Sequence, residues 1–399
     1  MKKYYLLILA IIFNASISLA CCEDCPDSNR EKIKAASSDY LANRFMNGSY
    51  MFVDDKGVIE KGAKGIHSMV SNKSLKADQQ MPIASATKTM TAAAIMKLQE
   101  RGLLNVNDTV AKHLDKESGI WVDSKLPCWV NEVTIHNLLT HRSGLPEYFM
   151  GAKLDVSLSH REINKQIANF AGCKELTFKP GEKHDYNNTN YVLLGLIIEN
   201  ISGEEAGKFF EKEFFTPLGM KNTKILGLAE ALQHQKDPEL MTTPSRYFVT
   251  PTGSEPQFNL AKHPFTMTPF TDGGVASTTE DLIIWHQALH AGKVLSDESY
   301  KQMTTGYYDV PSKAGVSSKV GYGIYITQLE NGDELYHHGG RALAIRSESG
   351  CIPKKNVCYA VISNIMEHIP KEMQDKIDAT KKVNQLDILH YTKHVLNSL

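Results

Sequence analysis

Pro82-Ile83-Ala84-Ser85-Ala86-Thr87-Lys88-Thr89-Met90-Thr91-Ala92-Ala93-Ala94-Ile95-Met96-Lys97-Leu98 is the stretch on which the fold turns. From Lys88 on it is made of good helix formers, and Gly102 supplies a stop. Residues three apart on a helix lie one above the other, so Ser85 and Lys88 share a face. A serine in the first turn also sits beside unpaired backbone N–H groups and the positive end of the helix dipole. A serine hydroxyl is a poor nucleophile without a base, and a lysine amine one turn away supplies one if burial lowers its pKa. Taken alone, Ser-x-x-Lys also fits an N-cap serine beside a solvated lysine, so the rest of the chain must decide.

Working outward, the segment before this helix reads as a hairpin, with Tyr50-Met51-Phe52-Val53 and Val58-Ile59 around a Lys56-Gly57 turn. An amphipathic helix precedes it over Asn29–Asn43. Helical patterns follow at Glu132–Thr140, Ser159–Ala171, Asn190–Ile201, Glu204–Phe215 and Thr279–Ala291. Strand patterns return at Gly323–Gln328, Glu334–His338, Leu343–Ser349 and Val357–Ser363, and Ile369–Leu399 has a helical composition. Strands at both ends and helices between them predict an α+β fold: an antiparallel sheet built from N- and C-terminal segments, flanked by helices, with a mostly helical insertion. The expected division is a sheet subdomain over about 30–80 and 310–399 and a helical subdomain over about 81–309.

The chain has 399 residues and a net charge of −1, which implies no broad basic surface for nucleic acid. Residues 1–20 read as a signal peptide: Lys2-Lys3, then an apolar run from Leu6 to Phe13 too short to span a bilayer, then Ser18-Leu19-Ala20 at the cleavage positions. The expected location is therefore periplasmic or secreted, with a membrane attachment only if Cys21 carries lipid. Export permits disulfides among the seven cysteines. Cys351 and Cys358 flank a hairpin-like turn and are expected to bridge, with Cys128 and Cys173 as a weaker second pair. Nothing in the sequence suggests a nucleotide or metal cofactor.

Three further stretches carry polar chemistry. Phe178–Tyr191 holds the Tyr-x-Asn of Tyr186 and Asn188. Tyr336-His337-His338-Gly339-Gly340-Arg341 ends a strand on glycines, where backbone approaches a ligand closely. Leu138-Leu139-Thr140-His141-Arg142-Ser143-Gly144-Leu145-Pro146 ends a helix in a sharp turn, where His141 reads as a structural hydrogen-bonder. Each of these residues alone also has a plain structural explanation.

Ser-x-x-Lys, Tyr-x-Asn and His-x-Gly in that order resemble the serine β-lactamase-like, penicillin-recognising family, on its class C β-lactamase and D-Ala-D-Ala carboxypeptidase branch. The turn phrase at 138–146, Pro180-Gly181, Gly273-Gly274-Val275-Ala276-Ser277-Thr278 and Gly321-Tyr322-Gly323 carry the same resemblance, which covers roughly Ile83 to Ser363. It implies that Ser85 becomes acylated while Lys88 and Tyr186 share the proton traffic. It implies also that Asn188 holds the substrate and Lys88, that His338 and Gly340 line the opposite wall, and that the backbone N–H groups of Ser85 and Arg341 form an oxyanion hole. Histidine at position 338, where many relatives have lysine, and Ala342–Ser347 in place of a Gly-Phe-Ser run leave the substrate open: a D-Ala-D-Ala-type peptide, an ester or a β-lactam. The Arg341 cation is an alternative carboxylate partner. The alternative reading is a non-turnover domain that binds or senses penicillin or peptidoglycan fragments. An α/β-hydrolase is disfavoured because Gly-x-Ser-x-Gly is absent, and a metalloprotease because His-Glu-x-x-His is absent.

Overall fold

The computed structural model describes residues 26–43, 48–65, 74–155, 157–225, 245–248, 257–260, 271–310, 317–342, 345–367 and 388–399. The expected signal peptide and Cys21, Cys22 and Cys25 lie outside the described residues. The N-terminal hairpin forms as strands β1 (Gly48–Asp54) and β2 (Gly57–Lys64), with Gly57 at φ +105° in the turn. A non-glycine residue would be strained there. The late strands are β3 (Tyr308–Val310), β4 (Ser318–Val320), β5 (Tyr325–Gln328), β6 (Glu334–Ala342), β7 (Ile345–Ile352) and β8 (Val357–Ser363). They join the hairpin in one eight-stranded antiparallel sheet of order β2-β1-β8-β7-β6-β5-β4-β3. The seam between the two chain ends is β1 against β8, in register from Gly48 opposite Ser363 to Val53 opposite Cys358. The fold is thus α+β, as the strand distribution predicts.

Helices cover both faces: α1 (Pro26–Asn43), α2 (Lys88–Glu100), α3 (Asn188–Ser202), α4 (Thr279–His290) and α5 (Ile388–Asn397). Alternation along β1 divides the core between the faces, as a period of two requires. Tyr50 and Phe52 point to a smaller cluster with Tyr359, Tyr40 and Tyr391, where α1 and α5 meet and the Ser37 and Tyr391 hydroxyls lie 2.6 Å apart. Met51 and Val53 point to the main core, with α2, α3 and α4. Nearly every residue of α2 is buried, Lys88 included. A helix buried on nearly every side belongs inside a protein, and the turn that holds Ser85 leads directly into it.

Some boundaries differ from expectation. The segment expected as Glu132–Thr140 is helical only over Ile135–Leu139, because Thr134 and Asn137 form a capping box that starts a new helix after the turn at Cys128–Asn131. Glu204–Phe215 divides into an α-helix over Ala206–Phe210 and a π-turn over Glu211–Phe215. Of Ile369–Leu399, residues 388–397 are helical and 368–387 lie outside the described residues. Cys351 and Cys358 stand opposite each other on β7 and β8 and are joined by a disulfide. The second expected bridge does not form: Cys128 and Cys173 are both free and exposed to solvent.

Candidate active site

Ser85 lies on a 3₁₀ turn over Ala84–Thr87 that runs directly into α2. The turn is held from three sides. The Ile83 N–H donates to the Val275 carbonyl at 2.9 Å, where Met81–Pro82 pairs with Val275–Ser277. The Val275 N–H donates to Thr87 Oγ1 at 3.2 Å, and Ser347 Oγ on β7 donates to the Ile83 carbonyl at 2.5 Å. Ala84, just before the serine, has φ +47°. A non-glycine residue in that region costs roughly 1–3 kcal/mol and persists only where its surroundings impose it.

The resulting geometry brings four of the expected site residues together. Lys88 Nζ donates to the Asp272 carbonyl at 2.6 Å and to Asn188 Oδ1 at 2.8 Å, and lies 3.1 Å from Ser85 Oγ. Lys88 is fully buried, while Ser85 keeps partial exposure. Burial pulls the lysine pKa below its ordinary value, more than the charges of Asp272 and Glu147 push it up. The Tyr186 phenol lies beside Ser85, and its half-buried ring has Lys88 Nζ 5.1 Å from its centroid. Burial, helped by the charges of Asp272 and Glu147, raises the phenol pKa well above its ordinary value, so Tyr186 holds its proton at neutral pH.

The turn phrase at 138–146 packs against the loop that carries Tyr186. His141 sits at φ +55° and accepts the Asp185 N–H on its carbonyl at 2.9 Å. Its buried ring lies 4.3 Å from the Tyr186 ring, and its Nδ1 faces the Asn187 peptide. Ser143 Oγ donates to Asn190 Oδ1 at 2.6 Å, and the Gly181 N–H donates to the Arg142 carbonyl at 2.7 Å. His141 is thus a clamp between two loops.

His338 and Gly340 stand on β6. A Cβ at Gly340 would overlap the Ile83 carbonyl oxygen and Ser347 Oγ, so only glycine lets this strand lie against the serine turn. His338 is buried, its ring 6.4 Å from Tyr186 and 5.2 Å from Tyr325. Burial first, then the Lys88 charge, lowers its pKa to about 3, so the imidazole is neutral. Its Nδ1 lies 2.6 Å from the Gly339 carbonyl, which places the ring hydrogen on Nδ1 and leaves Nε2 as an acceptor. Arg341 is exposed near the end of β6 rather than buried with Lys88.

Three residues at the site escaped the sequence reading. Glu147 Oε2 accepts from the Asn188 N–H at 2.7 Å and from Asn188 Nδ2 at 3.0 Å, which orients the amide oxygen toward Lys88. Tyr148 donates its hydroxyl to Asp272 Oδ2 at 3.1 Å. The buried Asp272 carboxyl has its pKa raised, chiefly by desolvation, and its Oδ1 has no hydrogen-bond partner among the described residues. The signal was adjacency: Glu147 and Tyr148 follow the Gly-Leu-Pro turn, and Asp272 precedes Gly273-Gly274.

Comparison with known proteins accords with this geometry. The family described as Beta-lactamase matches residues 36–382. The chain belongs to the β-lactamase family. Among curated relatives of this β-lactamase-family chain, Protein flp of Staphylococcus aureus (strain N315) is 27% identical over 351 residues, covering 86% of this chain and 65% of that protein. The chain spans between about half and two thirds of the length of the curated relatives it matches. Among solved structures, the octameric penicillin-binding protein homologue from Pyrococcus abyssi superposes with a TM-score of 0.66 at 26% identity, covering 88% of this chain and 76% of that one. The D-amino acid amidase from Ochrobactrum anthropi SV3, complexed with L-phenylalanine amide, gives a TM-score of 0.69 at 20% identity and shares the fold, covering 93% of this chain and 98% of that one. The family includes serine hydrolases: amidases, carboxypeptidases and β-lactamases.

Proposed function

We propose that this β-lactamase-family chain is an exported serine hydrolase that cleaves amide or ester bonds through an acyl-serine intermediate at Ser85. The observation that carries the reading is the buried Lys88 amine within hydrogen-bonding distance of the Ser85 hydroxyl. A neutral amine has two N–H donors and one lone pair. The Asp272 carbonyl and Asn188 Oδ1 take the two donors, and the lone pair then faces the Ser85 hydroxyl proton. Lys88 draws that proton as Ser85 Oγ attacks the substrate carbonyl. Tyr186, which burial keeps protonated, delivers a proton to the leaving nitrogen or oxygen and recovers one from Lys88. The Ser85 and Arg341 backbone N–H groups receive the oxyanion, and water then hydrolyses the ester. Export rests on the sequence of residues 1–20.

The substrate reading rests on His338. A neutral imidazole with its free nitrogen as acceptor holds a carboxylate weakly and receives an N–H or O–H donor well. Amides and esters without a terminal carboxylate are therefore the favoured substrates over peptides ending in one. The test is turnover of amino-acid amides, short acyl esters, D-Ala-D-Ala peptides and β-lactams by wild type and Ser85→Ala. The expected result is faster turnover of the amides and esters, all of it lost in Ser85→Ala. Preference for the carboxylate-ended peptides would overturn the substrate reading alone, and turnover by Ser85→Ala would overturn the nucleophile.

A further inference from the structure

Behind the β6–β7 wall lies a group of side chains that hydrolysis does not use. His286 and His290 stand one turn apart on α4, so both face the sheet side of that helix, where Cys351 stands on β7. One nitrogen of each imidazole and the Cys351 sulfur all lie within 4.8 Å of one another. The two rings stack with centroids 6.2 Å apart and planes 15° from parallel.

The hydrogen bonding of the pair is one-sided. His286 Nε2 meets Ser349 Oγ at 3.0 Å and His290 Nδ1 meets Tyr300 Oη at 2.7 Å. The other nitrogens, His286 Nδ1 and His290 Nε2, are buried and have no hydrogen-bond partner among the described residues. Leaving a buried polar nitrogen unsatisfied is costly, and two on one helix face call for an explanation. Imidazoles held by a hydroxyl at one nitrogen and open at the other are arranged as metal ligands are, with an outer partner fixing each ring. The ring of Tyr336, the cross-strand neighbour of Cys351, packs edge-on at 5.6 Å from His290 and closes one side.

We propose that His286, His290 and Cys351 form a binding site for zinc, or a cation of its class, in the reduced form of this protein, and that the metal and the Cys351–Cys358 disulfide exclude each other. Two imidazoles and a thiolate suit zinc, with a fourth position left for water. In the oxidised protein the Cys351 sulfur is bonded to Cys358 and has no thiolate to offer. A small dithiol opens the site: it supplies two electrons and two protons, the sulfur–sulfur bond breaks, Cys351 and Cys358 become thiols, and the dithiol becomes a disulfide. Zinc then displaces the Cys351 thiol proton and forms the Zn–S bond. A disulfide oxidant reverses the sequence, taking two electrons from the cysteines and expelling the cation as Cys351 and Cys358 rejoin. Ser349, which holds His286, is the cross-strand partner of His338, so the site adjoins the wall of the candidate active site.

The test uses the full chain carrying Cys358→Ser, which frees the Cys351 thiol without reductant. Its comparison is the double variant Cys351→Ser/Cys358→Ser, which keeps every other cysteine. After chelation and dialysis, Cys358→Ser is expected to bind one more zinc per chain than the double variant. With cobalt(II) it is expected to show an added thiolate-to-cobalt absorption band. Oxidised wild type should match the double variant, and adding His286→Gln or His290→Gln to Cys358→Ser should remove the band. Zinc should also raise the thermal midpoint of Cys358→Ser and leave that of the double variant unchanged, a readout that stands if a histidine variant does not fold. Equal zinc content and spectra in Cys358→Ser and the double variant, or a band that survives both histidine substitutions, would overturn the proposal.

Discussion

At the scale of single residues, the protonation of Lys88 governs the account. Desolvation lowers its pKa, and only the neutral amine can take the Ser85 proton, so acylation must rise as pH rises through the folded pKa. The expected result is a rising limb in the pH profile of kcat/KM with its midpoint below the ordinary lysine value of about 10.4. A flat profile across neutral pH would count against Lys88 as base. Lys88→Arg keeps a permanent cation and is expected to slow acylation by about a hundredfold or more, measured as the rate of covalent labelling. Glu147 is a positioning residue: its carboxylate accepts two hydrogen bonds from Asn188. Hydrogen bonds to a charged group contribute about 1.5–3 kcal/mol, so Glu147→Ala is expected to lower kcat/KM by about ten- to a hundredfold, with Glu147→Gln recovering part of it. Equal loss in both variants would mean that the carboxylate does more than orient Asn188.

At the scale of elements, the site depends on β6 lying flat against the serine turn. Gly340→Ala would drive a methyl into the Ile83 carbonyl and Ser347 Oγ. Overpacking of this kind costs about 1–3 kcal/mol, and here it also displaces the strand that carries the expected oxyanion donor. The variant is expected to unfold at lower temperature and to label Ser85 at least about tenfold more slowly; unchanged labelling would show that β6 does not shape the site. Elements were legible where one period dominated. Val357–Ser363 reads as a strand and is one, and the Lys56-Gly57 turn reads as a hairpin and is one. The helix expected from Glu132 was misjudged because Thr134 and Asn137 cap each other, a side-chain exchange that overrides pattern. Among site residues, Ser85, Lys88, Tyr186 and Asn188 were readable as motifs. Glu147, Tyr148 and Asp272 were not, because their importance lies in contacts across 41 to 184 residues of sequence.

At the scale of the whole molecule, the chain ends close the structure. β1 pairs with β8, and α1 and α5 cover Phe52 and Tyr359 on the sheet face away from the site. Tyr391 is buried there, with its hydroxyl on Ser37 and its ring against Tyr40. Tyr391→Ala leaves an aromatic-sized cavity and an unpaired Ser37 hydroxyl, and a loss of about 3–5 kcal/mol is expected in denaturant unfolding. A loss below about 1 kcal/mol would show that α5 contributes little to the fold.

The central claim is that one hydroxyl, Ser85, receives the acyl group because Lys88 is buried beside it. The most direct test is intact-mass and peptide mapping after exposure to a fluorophosphonate or a penicillin. Wild type is predicted to gain a single adduct on the peptide containing Ser85, and Ser85→Ala to gain none while keeping its thermal midpoint. An adduct on a different serine, or labelling that persists in Ser85→Ala, would contradict the account.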